Sequence, residues 1–195
     1  SVFYSKIKDR IFSLNSCIFV RYVSHKVQEF FIPRKEFLAW TNEAKPTLTK
    51  KYPDVTLLNC TVRFVNQDKT TTLAYSRAPE GSYAFVLYYR IKKCFEADNV
   101  LEGIHRSLAG ISLKLGGTFY LPYRHHYTIH EVKQSYPMIT EFFEKKKQYD
   151  PHGLFRSKWC DHYMRELLPE FEFLPLDDFK EMESCPEQYL LNIVR

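Results

Sequence analysis

Two stretches of the chain alternate between apolar and polar positions, which predicts two β-strands. In residues 56–65 (TLLNCTVRFV), one face carries Leu58, Cys60, Val62 and Phe64, and the other carries Asn59, Thr61 and Arg63. In residues 82–91 (SYAFVLYYRI), one face carries Tyr83, Phe85, Leu87 and Tyr89, and the other carries Ala84, Val86, Tyr88 and Arg90. We expect an apolar face to pack on helices and the polar face to remain free to cover a ligand.

Helical periodicity and a third strand flank these stretches. Residues 25–32 (HKVQEFFI) predict a strand that stops at Pro33, and residues 34–51 predict a helix that Pro46 kinks or shortens. Phe37, Thr41, Ala44 and Leu48 recur along it at helical spacing. A second helix follows residue 91, with Asp98 or Asn99 as its cap and Gly116-Gly117 as its end. Its predicted apolar side consists of Val100, Ile104, Leu108, Ile111 and Leu115.

Residues 118–122 (TFYLP) complete the pattern as a short strand, so the predicted order is β-α-β-β-α-β. This order predicts an α+β fold of the split βαβ, ferredoxin-like kind, an antiparallel sheet with helices on one face. Beyond it, Tyr136, Ile139 and Phe143 indicate a C-terminal helical segment that ends in a turn at Asp150-Pro151 and Gly153. The last 30 residues or so are acidic and punctuated by proline.

Composition narrows the class of protein. The chain has 195 residues, 45% of them hydrophobic and 16% aromatic, which is enough for a folded core. No apolar run is long enough for a membrane span, and the first residues carry charges where a signal peptide needs an apolar block. The five cysteines are scattered, so we expect a reducing, cytoplasmic location. Because the chain begins on serine, we expect a fragment or a processed product.

Charge and motifs argue against several functions. The net charge is +5, but 23 acidic residues are mixed with the lysines and arginines, so we expect no nucleic-acid binding. His125 and His126 are adjacent and His130 follows without a thiolate partner, so we expect no metal site. The chain carries no nucleophile elbow and no glycine-rich phosphate-binding loop of its own.

The polar face of residues 56–65 is the first candidate for a site. An arginine on a central strand, Arg63, either extends to the sheet edge or meets an anion or a hydroxyl-rich ligand. Tyr88, together with Tyr120 or Tyr123, could add phenol donors to the same space. Ordinary sheet packing is the alternative for each of these residues.

Four blocks in series resemble a known family: EFFIPR (29–34), LLNCTVRFV (57–65), AFVLYYR (84–90) and the stretch from GGTFYLPYRHHYT (116–128) to YPMITEFFEKKKQYDPHGLF (136–155). They resemble the C-terminal half of FAD-linked oxidoreductases of the vanillyl-alcohol oxidase type, in the branch of aldonolactone oxidases, alditol oxidase and decaprenylphosphoryl ribose oxidase. The resemblance covers residues 25–158.

The resemblance implies a two-domain enzyme in which the substrate lies between the sheet of a cap domain and the flavin of an FAD-binding domain. We therefore expect residues 25–130 to form the cap, residues 1–24 to connect it, and residues 131–195 to return as a helix and strap to an FAD-binding domain outside this chain. That domain would be the partner, in the same polypeptide or a separate one, and the cofactor would be FAD.

Site residues follow from the resemblance one position at a time. Arg63 matches a cap-strand arginine that faces substrate and flavin, and Thr61 stands where alditol oxidase has an acid. Tyr88 falls at a polar substrate-facing position. Tyr123 stands where several members have a lysine that contacts flavin or substrate. Stabilisation of charge on the flavin, or polarisation of the substrate, would then have to come from Arg63, Arg124 or a neighbouring histidine.

The predicted set is therefore Arg63, Tyr88 and Tyr123 as catalytic residues, Tyr123, Arg124, His125, Asp150 and Phe155 toward the cofactor, and Asn59, Thr61, Arg63 and Tyr120 toward substrate. The predicted reaction is hydride transfer from a sugar-derived alcohol or lactone to FAD, which oxygen or another acceptor reoxidises. The alternative is a truncated, non-catalytic module that binds a small ligand or a protein. A homo-oligomer, or membrane association through the missing part, stays open.

Overall fold

The computed structural model describes residues 22–173. The predicted connecting segment 1–24 lies outside the described residues except for its last three positions, and so does the part of the acidic tail after residue 173. The chain divides into two compact units, one reaching Ile139 and the other starting at Thr140. The predicted roles of segments 1–24, 25–130 and 131–195 stay predictions.

The first unit has the predicted order of strands and helices. Its elements are β1 (Val23–Pro33), a 3-10 turn (Arg34–Glu36), α1 (Phe37–Thr49), β2 (Val55–Val65), β3 (Ser82–Lys92), α2 (Phe95–Lys114), β4 (Thr118–Phe119) and α3 (Ile129–Ser135). The four strands form one antiparallel sheet in the order β2-β3-β1-β4. The predicted α+β, split βαβ fold is confirmed.

The core lies between α1, α2 and one face of the sheet. Trp40 of α1 is fully buried against Phe85 and Phe30, and its indole Nε1 donates to Ser112 Oγ on α2 at 2.9 Å. The alternation of β3 puts Phe85, Leu87, Tyr89 and Ile91 on this side, all buried. Because a buried indole N–H needs an acceptor, the Ser112 hydroxyl fixes the register of α1 on α2.

The predicted packing of the apolar face of β2 was wrong. Val62 and Phe64 pair with Phe85 and Tyr83, so they lie on the helix side, yet they are exposed. Leu58, which sits at a shift in the strand register, is exposed as well. The physical reason is position: β2 is an edge strand, beyond the two helices that cover the middle of the sheet. Alternation defines which face a residue takes but not how far the next layer extends.

The start of α2 also differs from the prediction. The N-cap is Cys94, and Asp98 lies within the helix rather than capping it. The buried side includes Ile104 and Leu108 as expected, but Val100, Ile111 and Leu115 lie at its margins. The predicted end is confirmed, since the helix stops at Lys114 and Gly116 follows with a φ of +73°. This left-handed conformation is costly for residues other than glycine.

The second unit contains most of α4 (Ile139–Tyr149) and α5 (Lys158–Leu167). Phe143 stacks on Trp159, and the buried side of α5 is formed by Cys160, Tyr163 and Met164. The predicted turn at Asp150-Pro151 is present between these helices, and Gly153 there has a φ of +63°. Within residues 22–173, no helix is long and apolar enough to cross a membrane.

Candidate functional site

The candidate site lies on the sheet face opposite α1 and α2, here called the polar sheet face. Its residues are His25, Val27, Glu29 and Phe31 of β1, Ala84, Val86, Tyr88 and Arg90 of β3, and Asn59, Thr61 and Arg63 of β2. Residues 66–81 cover one end, where Tyr75 packs on Phe31 with 4.5 Å between the ring centroids. The other end, around Tyr88 and Asn59, is exposed.

An ion pair between Arg63 and Glu29 marks the middle of this face. Arg63 Nη2 donates to Glu29 Oε2 at 3.0 Å. The two side chains differ greatly in exposure, 58% for Arg63 and 9% for Glu29. The carboxylate is therefore held inside the sheet face, while much of the guanidinium still faces outward.

The pair spans the full width of β3, which lies between the two residues in the sheet. Adjacent strands are about 4.8 Å apart, and Arg63 and Glu29 are also offset by two residues along the strands, so their Cα positions are roughly 12 Å apart. Ala84 and Val86 of β3 lie beneath this span, and both side chains are small. Their size leaves room for the long arginine side chain to cross the strand and reach the carboxylate.

Tyr123 supplies the second partner of Glu29. Its hydroxyl donates to Glu29 Oε1 at 2.8 Å, so each carboxylate oxygen accepts one side-chain hydrogen bond. Burial and the hydrogen bond to Glu29 raise the pKa of Tyr123 to about 12. The phenol is therefore neutral at physiological pH, and its proton is directed at Glu29 rather than outward.

The other predicted substrate residues lie on the same face. Tyr88 is 38% exposed and stacks on His25, with 5.4 Å between the ring centroids. Asn59 Nδ2 donates to Thr61 Oγ1 at 3.4 Å, and both residues are exposed. Tyr120 is half-buried and packs edge-on against Tyr123. The fold thus brings together the six predicted residues Arg63, Tyr88, Tyr123, Asn59, Thr61 and Tyr120.

Arg124 and His125 were predicted to face the cofactor. Arg124 Nη2 contacts Asp98 Oδ1 of α2 at 2.6 Å, and its role toward the cofactor stays a prediction. His125 is half-buried. The side chains of Tyr123 and Arg124 therefore point to different sides of the sheet, the phenol to the polar sheet face and the guanidinium to the helix side.

Asp150 and Phe155 belong to the second unit. The Asp150 carboxylate accepts from Lys146 Nζ at 2.5 Å and from the backbone N–H groups of Leu154 and Phe155 at 2.7 and 3.0 Å. Burial opposes ionisation of Asp150, but these hydrogen bonds outweigh it and lower its pKa. Asp150 thus holds its own turn together, whereas the Phe155 ring is 80% exposed.

Glu29 is the residue that sequence reasoning missed. It lies within the predicted strand HKVQEFFI, whose pattern predicts a strand but does not mark Glu29 as a site residue. Its position in the alternation could have identified it, because Glu29 and Phe31 are two residues apart and so lie on the same face of the strand. This places a carboxylate next to an aromatic residue that packs in the interior. A charged group in such a position needs a partner, and Arg63 provides it.

Among residues 22–173, no group of three or more histidine, cysteine or carboxylate side chains is arranged to hold a metal ion. The site is defined by a guanidinium, a carboxylate, phenols and short polar side chains.

The model of the D-arabinono-1,4-lactone oxidase family matches residues 4–163 of the chain. The chain belongs to this family. The resemblance to aldonolactone oxidases among FAD-linked oxidoreductases is thereby confirmed, and members of the family are FAD-dependent. A search of curated proteins found no match. The match to the D-arabinono-1,4-lactone oxidase family includes the whole polar sheet face and the segment that carries Tyr123.

Proposed function

We propose that this chain forms the substrate-facing cap of an FAD-dependent oxidoreductase that oxidises a sugar-derived lactone or alcohol. The supporting observation is the Arg63–Glu29 pair on a polar sheet face that is exposed at the end around Tyr88 and Asn59. A fixed guanidinium beside exposed hydroxyl and amide groups is suited to a ligand that carries many hydroxyl groups and develops negative charge on oxygen.

The residues of this chain fit the ring end of FAD rather than the whole molecule. Arg63 keeps exposed N–H groups beyond the one bound to Glu29, and Tyr88 offers an exposed aromatic ring. The pyrophosphate needs a glycine-rich loop or a comparable anion site, which we assign to an FAD-binding domain outside this chain. When bound, the flavin supplies the hydride acceptor.

The chain's own residues would then bind and orient substrate. Arg63 would stabilise negative charge on a substrate oxygen, because its N–H groups are fixed in place by Glu29 before substrate arrives. Asn59, Thr61 and Tyr88 would bind hydroxyl groups at the open end. Tyr123 would act through Glu29, since its proton is already donated there. In this proposal Tyr123 positions the carboxylate and does not replace a lysine.

The partner in this proposal is an FAD-binding domain. Phe155 and Tyr149 of the second unit are 80% and 82% exposed, and Leu154 beside them is 39% exposed. Large exposed apolar side chains that are neighbours in sequence fit a contact with another domain. Asp150 fixes the turn that presents Leu154 and Phe155.

The experiment uses a polypeptide that joins this chain to its FAD-binding domain. Arg63→Ala is compared with wild type for flavin reduction by a panel of aldonolactones and sugar alcohols, and for thermal unfolding. We expect at least a tenfold fall in the rate of flavin reduction and a fall of only a few degrees in melting temperature, because one oxygen of the buried Glu29 carboxylate loses its donor. The matched control is Arg106→Ala, which removes a partly exposed arginine of α2, in the layer opposite the site.

Wild-type turnover and melting in Arg63→Ala would remove the proposed role of Arg63. A wild-type polypeptide that binds FAD and lactone but reduces no flavin would favour the non-catalytic binding module instead. Two features favour this alternative. Thr61 stands where alditol oxidase has an acid, and the Tyr123 hydroxyl donates its proton to Glu29.

A further inference from the structure

The segment 120–128, which carries Tyr123, is anchored at both ends. At its start, Tyr120 N–H donates to the Glu29 carbonyl at 2.9 Å, and Gln28 Nε2 donates to the Tyr120 carbonyl at 3.0 Å. At its end, Thr128 and Glu131 form a capping box that begins α3. Tyr123 lies between these anchors, so its position depends on what holds the middle of the segment.

The middle is held to α2 by a series of three polar contacts, here called the clamp. Arg124 Nη2 contacts Asp98 Oδ1 at 2.6 Å, and Arg124 Nε donates to His126 Nε2 at 3.3 Å. His126 Nδ1 and His105 Nδ1 are 3.0 Å apart. His105 is fully buried in α2, next to the ring of Tyr89.

Donor chemistry fixes the protons of the clamp. A guanidinium only donates, so His126 Nε2 accepts, and the neutral His126 ring carries its proton on Nδ1. That N–H donates to His105 Nδ1, which places the His105 proton on Nε2. His105 Nε2 is buried without a hydrogen-bond partner among the described residues. The clamp is therefore complete only when both rings are neutral. A second proton on His126 would place an N–H opposite the Arg124 N–H, and a second proton on His105 would place an N–H opposite the His126 N–H.

The surroundings of both rings favour the neutral form. Burial, Arg124, His125 and Lys26 lower the pKa of His126 to about 4, with Asp98 alone acting in the other direction. Burial, His126 and Arg124 lower the pKa of His105 well below its usual value. The clamp is therefore intact near neutral pH and opens in acid.

We propose that the clamp of Asp98, Arg124, His126 and His105 positions Tyr123 against Glu29, so that acid frees the middle of segment 120–128 and weakens the Tyr123–Glu29 hydrogen bond. These four side chains are positioning residues, since none of them touches the polar sheet face. The effect on turnover rests on the proposed function, whereas the clamp and its effect on Tyr123 do not.

The test uses the 195-residue chain with nitrogen-15 histidine and carbon-13 tyrosine labels, followed by NMR. At pH 7 we expect the proton of His126 on Nδ1 and that of His105 on Nε2, with both rings neutral, and we expect His126 to be still neutral at pH 5. In His126→Phe, we expect the Tyr123 signal at pH 7 to move toward its acid position and Tyr123 to ionise about one pH unit lower. His130→Phe, at an exposed position on α3, is the matched control.

A second variant covers the case in which His126→Phe does not fold. Asp98→Asn weakens the hold on Arg124 from the α2 side, and we expect a smaller shift of Tyr123 in the same direction. Its control is Glu96→Gln in the same first turn of α2. Two results would overturn the proposal. One is a proton on Nε2 of His126 or on Nδ1 of His105 in wild type, and the other is an unchanged Tyr123 signal in a folded His126→Phe or Asp98→Asn variant. None of these readouts needs flavin or turnover, so they remain distinct from the Arg63→Ala result.

Discussion

Arg63 and Glu29 form an ion pair across an intervening strand, and the two partners are buried to very different extents. Nη2 and Oε2 are 3.0 Å apart, with Glu29 side-chain exposure of 9% and Arg63 side-chain exposure of 58%. Removing one partner is therefore not equivalent to removing the other. Without Arg63 a buried carboxylate oxygen loses its donor, whereas without Glu29 both donors retain access to water.

The first prediction concerns this asymmetry. We expect Arg63→Met to lower the free energy of unfolding by about 1–2 kcal/mol at pH 7, because it leaves one oxygen of a buried carboxylate without a donor. Glu29→Met should cost less than Arg63→Met, since Arg63 and Tyr123 can bond to water. Urea unfolding of both variants and of the double variant gives the coupling between the two residues. Equal losses for the two single variants would contradict the asymmetry.

The second prediction concerns pH dependence at Tyr123. The folded-state pKa of about 12 lies above the usual value of 10.0, so the phenol contributes stability that is fully present below pH 10 and is lost as the pH rises toward 12. Burial is the largest cause and Glu29 the next. In Glu29→Gln we therefore expect Tyr123 to ionise at lower pH than in wild type, though still above 10. Carbon-13 NMR of labelled tyrosines measures the titration.

Assignment of the Tyr123 signal comes from Tyr123→Phe, which removes one resonance from the spectrum. Tyr88→Phe is the control, because Tyr88 lies on the same face at its open end and should not influence Tyr123. A Tyr123 titration that is identical in wild type and Glu29→Gln would show that the hydrogen bond at 2.8 Å has no influence on ionisation.

Local pattern was sufficient to predict β3 and the end of α2. The alternation of Phe85, Leu87 and Tyr89 requires only that a strand has one buried face, and Gly116 requires only a local left-handed turn. These features are determined by residues close in sequence. The fold class followed because the order of such elements leaves few ways to bury their apolar faces.

Features that depend on distant residues were not predictable in the same way. The exposure of Val62 depends on where α1 and α2 end relative to an edge strand. The role of Glu29 depends on Arg63 and Tyr123, which are 34 and 94 positions away along the chain. The residues of the polar sheet face were found from alternation and family resemblance, but the carboxylate that connects them became visible only in the folded sheet.

The third prediction concerns the turn after α4. Asp150→Ala removes the acceptor for two backbone N–H groups and for Lys146, so we expect a loss of about 2–3 kcal/mol. The lowered pKa of Asp150 implies stability that is present above its usual pKa of 3.8 and is lost as the pH falls further. Denaturant unfolding at pH 7 and at pH 3 measures both effects. Glu144→Ala, which removes an exposed acid on α4, is expected to change little.

The fourth prediction compares two glycines that lie close in sequence but differ in their surroundings. A Cβ at Gly117 would lie 2.6 Å from the Phe31 carbonyl oxygen and 3.0 Å from that of Ser112. These atoms are backbone, so β1 or the end of α2 must shift to make room. We expect Gly117→Ala to cost about 2 kcal/mol or more, because overpacking of this kind strains the sheet at the start of β4.

Gly110 is the matched case, since a Cβ there meets nothing within 4 Å. It is exposed in the middle of α2, where alanine reduces the entropy of the unfolded chain, so we expect Gly110→Ala to stabilise the protein by about 0.5–1 kcal/mol. Thermal unfolding of both variants measures the two effects, with opposite signs expected. If Gly117→Ala melted like Gly110→Ala, the close approach of the β4 strand to β1 and α2 would be disproved. The difference in sign isolates backbone contact as the cause, because the chemical change is the same at both positions.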